Sequence, residues 1–389
     1  MHFVRYVDEL GIIWLLGKHK SQIPTMALAT PVFSLPPSEA IICPLISTLY
    51  RRKASSILEE RGFRFSVRSM SNFDAAGITV ETDIDNSIRC FELFRELTRS
   101  DSLLPDFILD EDRREAVECA RRESFDADSL SHFAESDHRY CFGTKDRINA
   151  IENVEIGQIS NKFSKLRRIV SYVGRRIPVL LGTEEENKNS ARASTNKYAP
   201  TSGSQSKNFH TVQDDLVRLL FISPGVSLTD SRKAALHIAW AILRSREGPI
   251  YKRLRNLGTF VYSLGAYSRE YVDMGYGCMT TQCRIDHVDE VKCAYFEALR
   301  QLARGEVSKG SFHAAKRLLE LAHLRTLCNP VAVTQMALNY ELSGSSIVDY
   351  RNMLSRATIE SVADVCNSVL RPELQSVSVV SPGQLVGGY

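Results

Sequence analysis

Side chains able to hold a metal or move a proton are scattered along this 389-residue chain, and few share a useful spacing. His132 and His138 bracket Phe-Ala-Glu135-Ser-Asp, but an i, i+6 pair points to opposite sides of a helix and makes a poor zinc pair. His313 and His323 lie on one amphipathic segment and His237 in an apolar helical run; packing or surface roles are expected for all three. Cys278 and Cys283 alternate with polar residues along a strand, with no second cysteine pair at zinc-ribbon spacing. No Walker loop, no Gly-x-Gly-x-x-Gly after a strand and no Gly-x-Ser-x-Gly occurs. Arg255 and Tyr262 remain: by type alone, a solvated helix-end cation and a strand residue between Phe260 and Leu264.

Composition narrows the classes. The chain is 43% hydrophobic and 24% charged, as globular proteins are, and should form two or three domains. A net charge of +3 gives no electrostatic reason to expect a nucleic-acid or membrane-surface binder. The basic cluster Lys162, Lys165, Arg167, Arg168, Arg175 and Arg176 is expected to be a solvated face that could meet an acidic partner. The run Gly11 to Gly17 is far shorter than the ~20 apolar residues a bilayer needs, and Asp8 and Glu9 stand where a secretory leader would be basic. Nine scattered cysteines then suit reduced thiols, so a cytoplasmic protein is expected.

Residues 183–208 contain almost nothing apolar and cannot repay their ordering entropy, which predicts a flexible linker between halves 1–182 and 209–389. A pattern repeats across it. In the first half, strands over Phe63–Arg68 and Gly77–Thr82 precede Ile84-Asp85 and an amphipathic helix through Phe91, Phe94 and Leu97; in the second, Phe260–Leu264 and Tyr276–Gln282 precede Ile285-Asp286 and a helix through Val291, Tyr295, Leu299 and Leu302.

Further helices are predicted over Leu45–Arg61, Glu111–Arg122, Ile156–Val173, Ser231–Arg244, Ser311–Leu327, Val331–Leu342, Ile347–Leu354 and, after the N-cap Thr358, to Leu370. Closing strands are predicted over Ile177–Leu181 and Ser376–Ser381. Each half is thus expected to be an α+β sandwich domain, a mostly antiparallel sheet with helices on one face.

The segment Pro249-Ile-Tyr-Lys-Arg-Leu-Arg255-Asn-Leu-Gly-Thr-Phe-Val-Tyr262-Ser, with the later run Tyr350, Leu354, Thr358, Val362, Val365, Leu370, Pro372, resembles the second domain of the pitrilysin/insulinase family of zinc metallopeptidases, the inverzincins. The resemblance implies that Arg255 and Tyr262 bind the substrate carbonyl and stabilise the oxyanion of the tetrahedral intermediate, where guanidinium and phenol donors are effective in a water-poor site. It also implies a first-domain His-x-x-Glu-His that binds zinc and supplies the general base, completed by a distant Glu.

That motif is absent. Its expected place, residues 34–45, has no histidine; Glu39 stands near the base position, Cys43 is a lone thiol, and Pro36 and Pro37 oppose the usual helix start. Glu115 and Glu118 fall near the distant-Glu region but suit the polar face of a helix. No metal is therefore expected in this chain, and zinc is expected in a partner. The resemblance implies the non-catalytic subunit of a heterodimeric zinc peptidase, paired with a homologous catalytic subunit bearing His-x-x-Glu-His. The pair would act on an extended peptide such as the leader of a ribosomally made modified peptide, a bacteriocin or cofactor precursor. The rival expectations are a scaffold or peptide-binding protein without a role in proteolysis, and an independent hydrolase built on Cys43 or the His132/His138 segment.

Overall fold

The computed structural model describes the chain except residues 1–2, 22, 34, 84, 100–102, 135–137, 176, 179–182, 185–215, 257–262, 345–346 and 381–389. Strands β1 (Phe3–Val7), β2 (Ile13–Lys18) and β3 (Thr25–Pro31) come first, followed by a one-turn helix α1 (Pro37–Ala40) and the long α2 (Cys43–Glu60). Gly62, at φ +70°, turns the chain out of α2 in a conformation that side chains with a Cβ disfavour. The hairpin β4 (Phe65–Ser71) and β5 (Ala75–Thr82) leads into α3 (Ser87–Arg99). Then follow α4 (Asp110–Arg122), α5 (Ser124–Ser131), α6 (Thr144–Asn153), α7 (Ile156–Phe163), β6 (Ile169–Gly174) and the short β7 (Thr183–Glu184).

The remaining elements are β8 (Leu216–Pro224), α8 (Lys233–Leu243), α9 (Pro249–Asn256), β9 (Ser263–Glu270), β10 (Gly275–Arg284), α10 (Val288–Ala303) and α11 (Lys309–Leu327). They end with α12 (Pro330–Ser343), α13 (Ile347–Arg356), α14 (Ile359–Ser368) and β11 (Ser376–Val380). Packing separates two compact units: Met1–Asp128, Ser136–Arg192 and Arg325–Ile347 form the first, and Ser129–Glu135, Ala193–Leu324 and Val348–Tyr389 the second.

The sheet of the first unit has the order β4-β5-β3-β6-β2-β1-β7. All its pairings are antiparallel except β2 with β6, which run parallel from Ile13 opposite Ile169 to Lys18 opposite Gly174. Met26, Leu28, Ile78, Val80 and Tyr172 point to one face, where Leu45, Leu49, Phe91 and Phe94 of the helices meet them. Each such buried side chain contributes about 1.5–3 kcal/mol. Strands β2, β3, β5 and β6 are buried along nearly their whole length, so the opposite face is covered too.

The cover on that second face is α12, which lies along β3 and β6. Alternation turns the small Ala27, Ala29, Thr79 and Ser171 toward it, and Gln335 Nε2 donates to Thr79 Oγ1 at 3.5 Å. Arg5 pairs with Glu341 at 3.1 Å, and His19 Nε2 meets the Leu327 carbonyl at 3.1 Å. A helix assigned by sequence order to the second half thus packs in the first unit.

The sheet of the second unit is fully antiparallel, in the order β11-β8-β10-β9. Phe221 and Met279 meet Leu236, Trp240, Tyr295 and Leu299 in one core. Gly277 is required here, because a Cβ would come within 2.4 Å of the Trp240 ring. The repeated unit is visible in each sheet: a hairpin, β4–β5 or β9–β10, runs into an amphipathic helix, α3 or α10. The two-sheet α+β architecture is as the sequence predicts.

Several boundaries differ. The predicted helix Ile156–Val173 ends at Phe163, and its last third is strand β6, whose residues are buried throughout and suit a central strand better than a helix face. The predicted strand Ile177–Leu181 has no regular structure at 177–178, and 179–181 lie outside the described residues. Of the predicted linker only Thr183–Glu184 is described, paired with β1.

Candidate functional site

The window where a zinc motif would stand is built around two prolines. Pro36 caps the four-residue α1, the chain turns at Ile41 and Ile42, and α2 restarts at Cys43 with Pro44 in its first turn. Cys43 is buried to 1% exposure and its thiol donates to the Ala40 carbonyl at 3.0 Å. Burial pushes that thiol up to about 12, against the opposing pull of the Arg147 guanidinium, so it stays protonated and is no thiolate ligand.

The carboxylates of the window are engaged as well. Glu39 Oε1 accepts from Lys162 Nζ at 2.7 Å. Glu115 pairs with Arg51, and Glu118 lies 3.9 Å from Arg121 on the exposed face of α4. A zinc ion needs three protein donors able to converge, and no group of three His, Cys, Asp or Glu does so among the described residues. The donors present among the described residues do not fit the zinc that the resemblance implies.

The other candidates are likewise occupied or separated. The His132 ring packs on Phe133, and burial lowers its pKa; His138 Nδ1 accepts from the Tyr140 amide at 3.3 Å, while the residues 135–137 between them lie outside the described set. Cys278 and Cys283, five residues apart on β10, point to opposite faces, and burial raises Cys283 to about 11. The basic cluster disperses: Lys162 binds Glu39, Arg168 is buried and donates to the Thr98 carbonyl, and Arg175 donates to the Lys20 carbonyl at 3.3 Å. Arg176 lies outside the described residues.

One polar network in the second unit has no local signature in the sequence. His237 Nδ1 meets Tyr350 OH at 2.6 Å and His237 Nε2 meets Glu270 Oε1 at 2.8 Å, while Ser268 Oγ donates to the same carboxylate at 2.5 Å. Burial alone would raise the Glu270 carboxyl, but the charge and hydrogen bond of His237, the Ser268 hydroxyl and Lys233 outweigh it and hold it at about 2. His323 packs edge-on against Tyr350. His323 thus has a packing role, whereas His237 is a hydrogen-bonding partner of Glu270 and Tyr350. His313 packs edge-on against the neighbouring Phe312.

Helix α9 carries the Arg255 signature. Ile250 and Leu254 are buried and anchor it to the core, while Pro249, Lys252, Arg253 and Asn256 recur at i, i+3, i+4 and i+7 along an open cleft of about 580 Å³. At 100° per residue Arg255 points away from both the core and that cleft. It is exposed, stands in the last turn, and makes no ion pair or side-chain hydrogen bond among the described residues. A cation at a helix C-terminus is favoured by the helix dipole, which orients it without consuming its donors. Tyr262 lies outside the described residues, just before β9.

Residues 180–319 match the family profile described as the peptidase M16 inactive domain. The fold of the whole chain is shared with solved structures at low identity. A protease from Helicobacter pylori has a TM-score of 0.74 at 12% identity, over 98% of this chain and 100% of that one. The peptidase M16 inactive domain from Pseudomonas fluorescens also scores 0.74 at 12%, with 98% of each chain covered. A chain of complex III2 from Candida albicans scores 0.74 at 13%, over 98% of this chain and 95% of that one. Comparison with curated proteins finds no match. Residues 180–319 are therefore similar to the inactive domain of the M16 peptidases, and the chain shares its fold with the M16 inactive domain from Pseudomonas fluorescens.

Proposed function

We propose that this chain is the non-catalytic subunit of a heterodimeric zinc peptidase acting on unfolded peptides. A separately encoded homologous subunit bearing His-x-x-Glu-His provides zinc and the general base. Arg255 and Tyr262 complete that active site in trans, binding the substrate carbonyl and stabilising the oxyanion. The substrate class is the leader of a ribosomally made, modified peptide such as a bacteriocin, matured in the cytoplasm. No helix among the described residues is long and apolar enough to cross a membrane.

The observation that carries this reading is a contrast of partners. Glu39, Glu115 and Glu118 are each matched by a basic side chain, whereas Arg255 projects from a firmly anchored helix with no ion-pair partner among the described residues. The test is reconstitution: this chain, the catalytic subunit and their mixture are assayed on a leader-bearing peptide. Cleavage by the mixture alone supports the division of labour; chelator-sensitive cleavage by this chain alone refutes it.

The second reading is a scaffold or peptide-binding protein, and the shared fold with a chain of complex III2 from Candida albicans favours it. It requires assembly with a partner and no change in proteolysis, so the same assay separates the two.

A further inference from the structure

Helix α11 is apolar on two sides. Its inner side is accounted for, since Phe312 and Ala315 are buried and Leu319 packs on the core of the second unit. Its outer side is not: Leu318, Leu321 and Leu324 are 47%, 54% and 49% exposed. Spaced three apart, they form one stripe, which the exposed Ala314 extends to about 15 Å at 1.5 Å per residue. Helices with apolar anchors at three- and four-residue spacing dock against a complementary apolar surface.

The charges beside the stripe select the occupant. Arg317 and Arg325 flank it, both exposed and without an ion pair or side-chain hydrogen bond among the described residues. The one acid of the helix, Glu320, lies off the stripe and is half-buried. Leu321 is midway between the two arginines, so antiparallel pairing of two copies about Leu321 would set Arg317 of each against Arg325 of the other. Parallel pairing would oppose identical arginines. Both arrangements place like charges beside a small apolar contact, which costs about what opposite charges would gain.

A lipid surface is also a poor match, because membrane-binding helices are Lys/Arg-rich with aromatic anchors, and two cations alone hold a helix to an anionic surface only weakly. We propose that the outer face of α11 docks an amphipathic helix of a partner protein whose leucine-type ridge is bordered by Asp or Glu. Carboxylates there would pair with Arg317 and Arg325 while the ridge covers Leu318, Leu321 and Leu324. The proposal does not depend on the proteolytic reading, since any assembly of this chain could use the face.

The test uses the full chain and a fluorescein-labelled synthetic helix with leucines at i, i+4 and i+7 flanked by glutamates, followed by anisotropy. Its control carries lysine for every glutamate. The Glu peptide should bind with Kd on the order of 10 μM at low salt and the Lys peptide at least about tenfold more weakly. Leu321→Asp should abolish binding, and the double variant Arg317→Glu/Arg325→Glu should reverse the preference, each with an unchanged melting temperature. Equal binding of the two peptides, binding of neither, or binding untouched by Leu321→Asp would overturn the proposal. So would a dimer in sedimentation that Leu321→Asp dissolves, or comparable affinity for phosphatidylglycerol vesicles.

Discussion

Residues 36–43 and helix α9 are both places where the family resemblance puts chemistry, yet the structure treats their charges in opposite ways. In the first, the carboxylate of Glu39 is matched by Lys162 and the thiol of Cys43 is buried and held neutral. In the second, Ile250 and Leu254 fix the helix while Arg255 is exposed and makes no ion pair among the described residues. The lesson is that a charged side chain already paired within its own chain serves stability, and one held rigidly without a partner is available to something outside.

The strongest way to break this contrast is Arg255→Ala. Turnover by the mixture with the catalytic subunit should fall by about 10²–10³-fold, as for loss of one oxyanion donor, with the melting temperature of this chain unchanged. Wild-type turnover would remove Arg255 from the mechanism; a lower melting temperature would put it with the structural charges instead.

The converse substitution is Arg147→Met in the first unit. Arg147 is 1% exposed, lies over the Phe73 ring and pairs with Glu123 at 2.7 Å. Removing it leaves a largely buried carboxylate unmatched, so urea unfolding should show a loss of about 3 kcal/mol. Adding Glu123→Gln should recover part of that loss, which checks that the pair and not the volume is responsible.

A smaller effect is expected from Glu270. Its folded value near 2 lies below its ordinary 4.5, so the unfolded state takes up the proton first. The stability it contributes is present above about pH 4.5 and is lost as pH falls toward about 2, a term on the order of 2 kcal/mol. Urea midpoints measured from pH 5 to 2.5 should fall less steeply in Glu270→Gln than in the wild type. Equal slopes would mean that the His237 network does not hold the carboxylate ionised.

The smallest expected effect is none. Because the window acids are matched by Lys162, Arg51 and Arg121, adding zinc or a chelator should leave the melting temperature of the isolated chain unchanged within about 1 °C. A stabilisation saturating at one zinc per chain would contradict the contrast from the other side.

Much of the fold is legible in the sequence where periodicity is local. The hairpin-then-helix repeat is visible because Val67, Ile78 and Val80 alternate, and Val291, Tyr295 and Leu299 recur at helical spacing. Periodicity fails at Ile169–Gly174, where a central strand buried on both faces loses its alternation and merges with the preceding helical pattern. For the same reason β2 and β3 carry no usable alternation. At the site, the missing His-x-x-Glu-His and the Arg255 signature are readable as residue types. The pairing of Glu39 with Lys162 is not, because 123 residues separate them.

The sequence by itself therefore determined the repeated α+β pattern, the absence of a zinc motif, and the segment around Arg255 on which the family resemblance rests, since each depends on residues within a few turns or strands of one another. Tertiary structure alone decided that α12 covers the second face of the first sheet, that β2 and β6 pair in parallel, and that Glu39 is matched by Lys162. These outcomes follow from which distant segments bury one another's surfaces and match one another's charges, an arrangement no local spacing encodes.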